Sequence, residues 1–388
     1  MLLPKPRLCN IYIQKPIQAA KIIIGVKITF LCGCLEPGRD GVGDYTLRLA
    51  MELIKNGHKV SIVSLNDHFL PKNSFEVLEQ NLIPVIRVRL GNKQIQILSK
   101  VKRYIEEWDP EWLSLQFVPF SFHKKGLPIK LASQLNKLGK GRRWHIMFHE
   151  LWVGMDNKDS FKLKLLGSLQ KHIVKKTIDI LVPEIINTHT RLYLSKLDKM
   201  GCKSDLLPLF GNIPILFQSE EKRNGIINIA VFGGIHPGAK LKKFINEVPK
   251  ANKYKFHFIG SNGPEQGNWV ATLTKNNVDY QLHGWLGIEE ISKILSKCQW
   301  GVTSTPYYLS EKSGSTAAML EHNLIVFCIA RKWNPRDIKV EVLANDAIIK
   351  WKTTLDMESF IKCKRYKSEN NIEVIAENFI NRLKTKQV

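Results

Sequence analysis

A Lys-Ser-Gly-Ser run, Lys312 to Ser315, stands at the head of a helical stretch that closes near Asn323 and leads into a buried apolar strand, Leu324 to Ile329. A Ser-Gly-Ser turn opening a helix directs free backbone N–H groups outward at the positive end of the helix dipole, and Lys312 adds a full charge beside them. That is the chemistry of a phosphate or diphosphate seat, with Ser313, Gly314 and Ser315 as its donors; an ordinary helix cap uses the same residue types. A second glycine-rich loop, Glu36 to Gly43, follows the apolar run Lys27 to Cys34. Gly41 and Gly43 allow a backbone to approach a ligand closely, and Asp44 is expected to cap the helix behind them. A third candidate is His149, at the end of the apolar run Trp144 to Glu150. A neutral imidazole at the carboxyl end of a parallel strand can hydrogen-bond a sugar hydroxyl, and a partly buried structural histidine is the competing reading.

Bulk composition limits the field. With 388 residues, 44% apolar and 24% charged, the chain is globular and long enough for two or three domains. Its formal charge of +23 favours anionic partners. Residues 1–215 hold 33 Lys and Arg against 18 Asp and Glu, and the remainder 25 against 17, so neither half is a dedicated basic module. No helix-turn-helix, zinc finger, ribonucleoprotein or KH pattern appears, which argues against nucleic acid as the partner. Seven cysteines lie at 9, 32, 34, 202, 298, 328 and 363 without a CxxC pair. That scatter points to a reduced, cytoplasmic protein with no structural metal. No run reaches the length of a spanning helix, and residues 1–26 read as an extension without a secretory cleavage pattern.

Stepping along the chain, strand-length apolar runs alternate with amphipathic helical stretches, the pattern of βαβ units and parallel sheets. In the first half the strands are expected at 27–34, 59–65, 83–90, 112–120, 144–150, 179–183 and 205–209. The helices between them run from Asp44 to Gly57 and over 94–108, 128–138, 161–176 and 186–200. A polar linker at 216–226 precedes a restart at Ile227 to Phe232 and Gly233-Gly234. The expectation is an α/β protein with two Rossmann-like domains facing across a cleft, 27–215 and 227–368, and a tail helix in 369–388 that packs back across the hinge. The helix 161–176 is basic and amphipathic. The favoured reading packs it on the sheet with its lysines in solvent; the alternative lays it on an anionic bilayer, where each cation contributes about 1 kcal/mol.

Several of these segments together resemble glycosyltransferases of the GT-B fold, in particular the group-1 (family 4) retaining enzymes that take sugar from a nucleotide diphosphate donor. The resemblance rests on Gly41-Val42-Gly43-Asp44-Tyr45, His149-Glu150-x-Trp152, the Leu-Pro-x-x-x-Asn-Ile-Pro run at 207–214, Val231-Phe232-Gly233-Gly234, Phe258-Ile259-Gly260 and the 305–330 stretch. It implies that the Gly41–Gly43 loop meets donor phosphate or acceptor and that His149 sits beside the transferred sugar. It also implies that Gly314 and Ser315 hold the diphosphate and that Glu321 contacts the ribose. The partners implied are a nucleotide sugar and a glycan or lipid-linked acceptor in polysaccharide or glycoconjugate synthesis, with no cofactor and no metal, at the inner face of a membrane.

Two departures stand out. Where the family places its first motif Glu this chain has Ser313, and where it places its diphosphate-binding Arg and Lys this chain has Gly234 and Ala239. Lys240 and Lys312 are the cations expected to substitute, with His149 and Lys312 as the catalytic pair. A scaffold that binds a nucleotide sugar without turning it over is the alternative reading.

Overall fold

The sequence K-I-T-F-L-C of Lys27–Cys32 (β1) forms a strand buried from Ile28 onward, as expected of a strand covered by helices on both faces. The structure is a computed structural model that describes residues 25–217, 225–249, 252–343, 346–351 and 370–385. After β1 come Gly41–Lys55 (α1), Lys59–Ser64 (β2), Ser74–Gln80 (β3), Ile83–Arg89 (β4), Gln94–Trp108 (α2) and Trp112–Phe117 (β5). The short helix Pro119–Phe122 (α3), Leu131–Leu138 (α4), Arg143–Phe148 (β6), Phe161–Leu181 (α5), Ile185–Thr188 (β7), Arg191–Asp198 (α6) and Asp205–Leu206 (β8) complete the first half. The second half holds Ile226–Phe232 (β9), Leu241–Glu247 (α7), Lys253–Ile259 (β10), Gln266–Lys275 (α8), Asp279–Gly284 (β11) and Ile288–Lys297 (α9). It continues through Trp300–Thr303 (β12), Gly314–Glu321 (α10), Ile325–Cys328 (β13) and Ile348–Lys350 (β14), and the last helix is Ile372–Thr385 (α11).

Two sheets result. The first runs β3-β4-β2-β1-β5-β6-β7-β8 and the second β11-β10-β9-β12-β13-β14. Every described pairing is parallel except β3 with β4. In each half the chain order reverses at one place, between β1 and β5 and between β9 and β12. Ligands of open parallel sheets bind outside the carboxyl ends of the strands at such reversal points. The topology therefore designates the loops after β1, β5, β9 and β12, with the loop after β6 next to that of β5.

Three local expectations are corrected, and one strand is added to them. The cap of α1 is Asp40, whose Oδ1 accepts from Val42 N at 2.9 Å and Gly43 N at 2.8 Å; Asp44 instead accepts from Gly38 N at 3.0 Å. Helix α5 continues to Leu181, because Thr177 and Leu181 extend its buried face, so no strand occupies 179–183. The next strand is β7, and its helix begins only at Arg191, capped by Thr190. The antiparallel edge strand β3 carries Glu76 and Glu79 among its exposed positions, which hide its strand character; a tight turn at Asn81 and Leu82, with φ of 52° and 64°, returns it to β4. Of the expected boundaries, most of the 1–26 extension, most of the 216–226 linker and the end of the 227–368 domain lie outside the described residues.

Helix α11 belongs to the first half's core although it follows the second sheet. Ile375, Ala376, Phe379, Ile380 and Leu383 are buried in one cluster with Phe30, Leu49 and Val60. The Phe379 ring stacks on Phe30 at 5.9 Å and meets His145 edge-on at 5.0 Å. Phe379→Ala is expected to destabilise the protein by about 3–5 kcal/mol, the usual cost of emptying a buried phenylalanine site. Equilibrium denaturant unfolding measures it, and a loss below ~1 kcal/mol contradicts this packing.

Candidate functional site

Beyond the carboxyl ends of the strands lies a cleft of about 330 Å³. Arg39, Gly41, Tyr45, His149, Glu150 and Asn212 line it from the first half, and Lys312 and Gly314 from the second. Two larger cavities, of 410 Å³ and 390 Å³, lie elsewhere, one at the amino ends of β10 and β11 and one on the apolar flank between α2 and α4. Strand polarity and charge both favour the cleft. Among the described residues no cluster of His, Cys, Asp and Glu could hold a metal ion.

The first wall is the amino end of α1. Gly43 is buried there because a Cβ would meet Cys34 O at 2.7 Å, so its role is close packing of loop on helix. The neighbouring Tyr45 hydroxyl is buried without a hydrogen-bond partner, as is Asn212 Oδ1. Both residues line the cleft and leave polar capacity unused at its floor.

The second wall is the amino end of α10. Ser313 caps that helix, its Oγ accepting from Thr316 N at 3.3 Å and lying 3.2 Å from Ser315 Oγ. A Cβ on Gly233, whose φ is +82°, would stand 3.1 Å from Ser315 Oγ, so the end of β9 abuts the first turn of α10. Gly234 is exposed with open space beside it. Lys240 donates its backbone N–H to Ile329 O at 2.7 Å, and its side chain is exposed rather than in the cleft lining. The structure thus brings Gly41, His149, Lys312 and Gly314 together, with Ser313, Ser315 and Gly233 directly behind them.

Lys312 does not stand alone. Its Nζ pairs with the Glu150 carboxylate across the cleft and lies 6.0 Å from the centre of the Tyr193 ring. Burial opposes the ammonium, but Tyr193 and Glu150 outweigh it and raise its pKa, so the charge is held firmly.

His149 is buried, and both of its ring nitrogens are engaged. Nε2 lies 2.9 Å from Gln116 Oε1 and Nδ1 2.9 Å from His189 Nε2. Its expected role as a hydrogen-bond partner for a sugar hydroxyl therefore requires one of those bonds to break. The two contacts belong to a buried chain: Leu207 O, His189, His149, Gln116, Ser114, His145, Asn187, Asp205 O. Both ends are carbonyl oxygens, which only accept. Seven links join six side chains, and each neutral side chain brings one hydrogen into the chain, so the neutral set is one hydrogen short. One added proton completes every link. Burial works against it, holding His145 down at about 3 and His189 at about 4, and holding His149 well below the usual range with His189, His145 and Lys312 beside it.

Glu321 stands at the other end of α10 from Gly314. Its Oε1 accepts from Gly211 N at 2.7 Å, and Arg48 donates to Gly211 O. It therefore fastens α10 to the 207–214 crossing segment, where a Cβ on Gly211 would meet Ala318 Cα at 2.7 Å. Burial pushes the Glu321 carboxyl up to about 7, against the Gly211 N–H and Arg48, which favour the anion. Between the ordinary carboxylate value and about 7 the folded state holds a proton that the unfolded state releases. Stability is thus lost as the pH rises through that window. Glu321→Gln is expected to flatten this part of the stability–pH curve, measured by thermal unfolding from pH 4 to 8; an unchanged slope contradicts the assignment.

The sequence reading passed over Arg39, Tyr45, Glu150, His189 and Asn212 as site residues. Tyr45, Glu150 and Asn212 stood within quoted motifs, whereas His189 follows the short polar strand β7, which the reading had placed inside a helix.

No known family's sequence pattern matches the chain, and no curated protein matches it significantly. Solved structures do match in fold. A protein from Listeria monocytogenes named as a UDP-N-acetylglucosamine 2-epimerase superposes with a TM-score of 0.55 at 10% identity, over 93% of this chain and 96% of its own. A trehalose-6-phosphate synthase, studied for glycosyl transfer with retention, gives 0.55 at 10% identity over 93% and 99%. The catalytic domain of starch synthase IV from Arabidopsis thaliana, bound to ADP and acarbose, gives 0.52 at 10% identity over 94% and 98%. With both parallel sheets, the cleft between them and the returning helix α11 in place, the chain has the GT-B fold.

Proposed function

We propose that the chain is a glycosyltransferase that moves a sugar from a nucleoside diphosphate donor to a hydroxyl of a glycan or lipid-linked acceptor, with retention at the anomeric carbon. The observation that carries this reading is the amino end of α10 opening on the cleft with Gly314 and Lys312 in its lining. Backbone N–H groups at a helix start and a full positive charge suit a diphosphate, both bound and departing. Gly314 and Ser315 would hold the diphosphate, Lys312 would neutralise it as it leaves, and the α1 loop with Tyr45 and Asn212 would face the sugar or the acceptor. The imidazole of His149 supports the floor of the site through its two internal bonds. Lys240 would join Lys312 only on closure of the cleft.

The reaction needs no metal in this account, because the charge that develops on the leaving group is met by protein cations and amides. Incubation with a panel of nucleotide sugars tests it: release of nucleoside diphosphate dependent on an acceptor is expected, and the anomeric configuration of the product reads out retention. A second reading, a nucleotide-sugar binder without turnover, is favoured by the serine cap at 313 and the bare Gly234. Donor binding with no release under any acceptor would establish it over the first.

A further inference from the structure

The solvent face of α5 is an unusual surface for a helix packed on a sheet. Its inner side, Gly167, Gln170, Ile173, Val174, Thr177 and Leu181, is buried. Gly167 lies so close to the preceding loop that a Cβ would overlap Val153 O at 2.0 Å. The helix is therefore seated. Its outer side nonetheless carries Phe161, Leu165 and Leu169, which are 82%, 53% and 50% exposed. At 100° per residue these three form one continuous stripe that Lys176 prolongs, with Lys164, Lys171 and Lys175 along one edge and Lys162 on the other. Within the helix five lysines face a single acidic residue, Asp179, which pairs with Lys175. The apolar residues occupy the amino-terminal half and the cationic residues dominate the carboxyl-terminal half.

Neighbouring segments extend the surface. Gln170 Nε2 donates to Gly126 O at 3.1 Å, which ties the exposed Lys124-Lys125 loop to this helix. A Cβ on Gly126 would meet the ring of Phe120, itself 42% exposed, and Ser121 beside it lines the cleft. At the amino end, the loop from Glu150 to Ser160 runs from the cleft directly into Phe161, and Asp156 in that loop binds Arg331 of the second half at 2.8 Å.

We propose that this face docks on an anionic lipid bilayer, with Phe161, Leu165 and Leu169 entering the boundary between headgroups and acyl chains and the flanking lysines meeting lipid phosphates. A stripe of large apolar side chains edged by an excess of cations fits that interface on both counts, where a purely polar partner would leave the stripe unburied and a neutral membrane would make no use of the net positive charge. Among the described residues no helix is long and apolar enough to cross a membrane, so the contact is with the surface. The proposal deepens the transferase reading in one respect, that an acceptor carried on lipid would arrive beside the cleft. The docking itself does not depend on sugar chemistry.

Co-sedimentation with vesicles of phosphatidylcholine alone, and of phosphatidylcholine mixed with phosphatidylglycerol, tests it on the full chain. Binding is expected only with phosphatidylglycerol, weakening as salt rises. The triple variant Phe161→Ser, Leu165→Ser, Leu169→Ser keeps the net charge and should bind at least about tenfold more weakly, with an unchanged circular-dichroism spectrum. Equal binding by wild type and triple variant would overturn the proposal, because attraction would then come from the overall charge. A concentration-dependent dimer, formed without vesicles and abolished by the triple variant, would also overturn it. Vesicle binding without nucleotide-sugar turnover would leave docking standing and remove the transferase reading alone.

Discussion

Lys312→Met is expected to lower the proposed sugar-transfer turnover by about a hundredfold to a thousandfold with the fold intact. The size follows from what the residue is asked to do. Removing one preorganised group that stabilises developing charge costs about 10²–10³ in kcat, and here no cation stands at Gly234 or Ala239 to share the load. In the structure the ammonium is committed to Glu150, a counter-ion that a diphosphate must displace. Glu150→Gln should therefore tighten binding of a nucleoside diphosphate, since the anion no longer competes with a carboxylate for Lys312. The two variants are expected to move in opposite directions, and steady-state kinetics with calorimetric binding separates them. A Lys312→Met enzyme with unchanged kcat contradicts the assignment.

The second large effect concerns protons. The buried chain from Leu207 O to Asp205 O lacks one hydrogen when its three histidines are neutral, and burial keeps them so in the free protein. The groups around it are the Tyr45 ring from α1, Lys312 from the second half, and Phe379 and Arg382 from α11. A diphosphate entering beside Lys312 would bring negative charge next to His149 and offset the repulsion from Lys312, which adds to burial, His189 and His145 in opposing an imidazolium. Binding of a nucleoside diphosphate should then take up a fraction of a proton, rising as the pH is lowered from 7. Calorimetry in buffers of different ionisation enthalpy measures this, and His189→Phe should abolish it. The same histidines fix the sign of the acid response: the unfolded chain protonates them near 6.5, whereas folded His189 resists to about 4 and His145 to about 3. Stability is therefore lost as the pH falls through that window. Zero proton uptake on nucleotide binding contradicts this account of the chain.

Much of the fold was legible in the sequence because buried parallel strands leave runs such as K-I-T-F-L-C and W-L-S-L-Q-F, and glycine marks their ends. The restart at Ile227 and the helix start at Gly314 were readable for the same reason. What escaped was decided by tertiary contacts. Strand β7, Ile185–Thr188, is short and half polar, and it is buried only because β6 and β8 pair with it. Misplacing β7 concealed His189 and with it the histidine chain. Glu321 matched a motif position, yet its carboxylate reaches Gly211 N, a contact set by how α10 crosses the hinge segment. On α5 the amphipathic period was visible, but that Phe161, Leu165 and Leu169 face outward became clear only from their exposure.

The central claim is that the amino end of α10 seats a nucleoside diphosphate. Titrating UDP, GDP and ADP into the wild-type protein and into Ser315→Asp tests it most directly, because a carboxylate in the first turn suits the helix dipole but repels a bound diphosphate. The account predicts that at least one of the three binds the wild type and binds Ser315→Asp at least about tenfold more weakly. Binding of none of them, or equal affinity for both proteins, would contradict it.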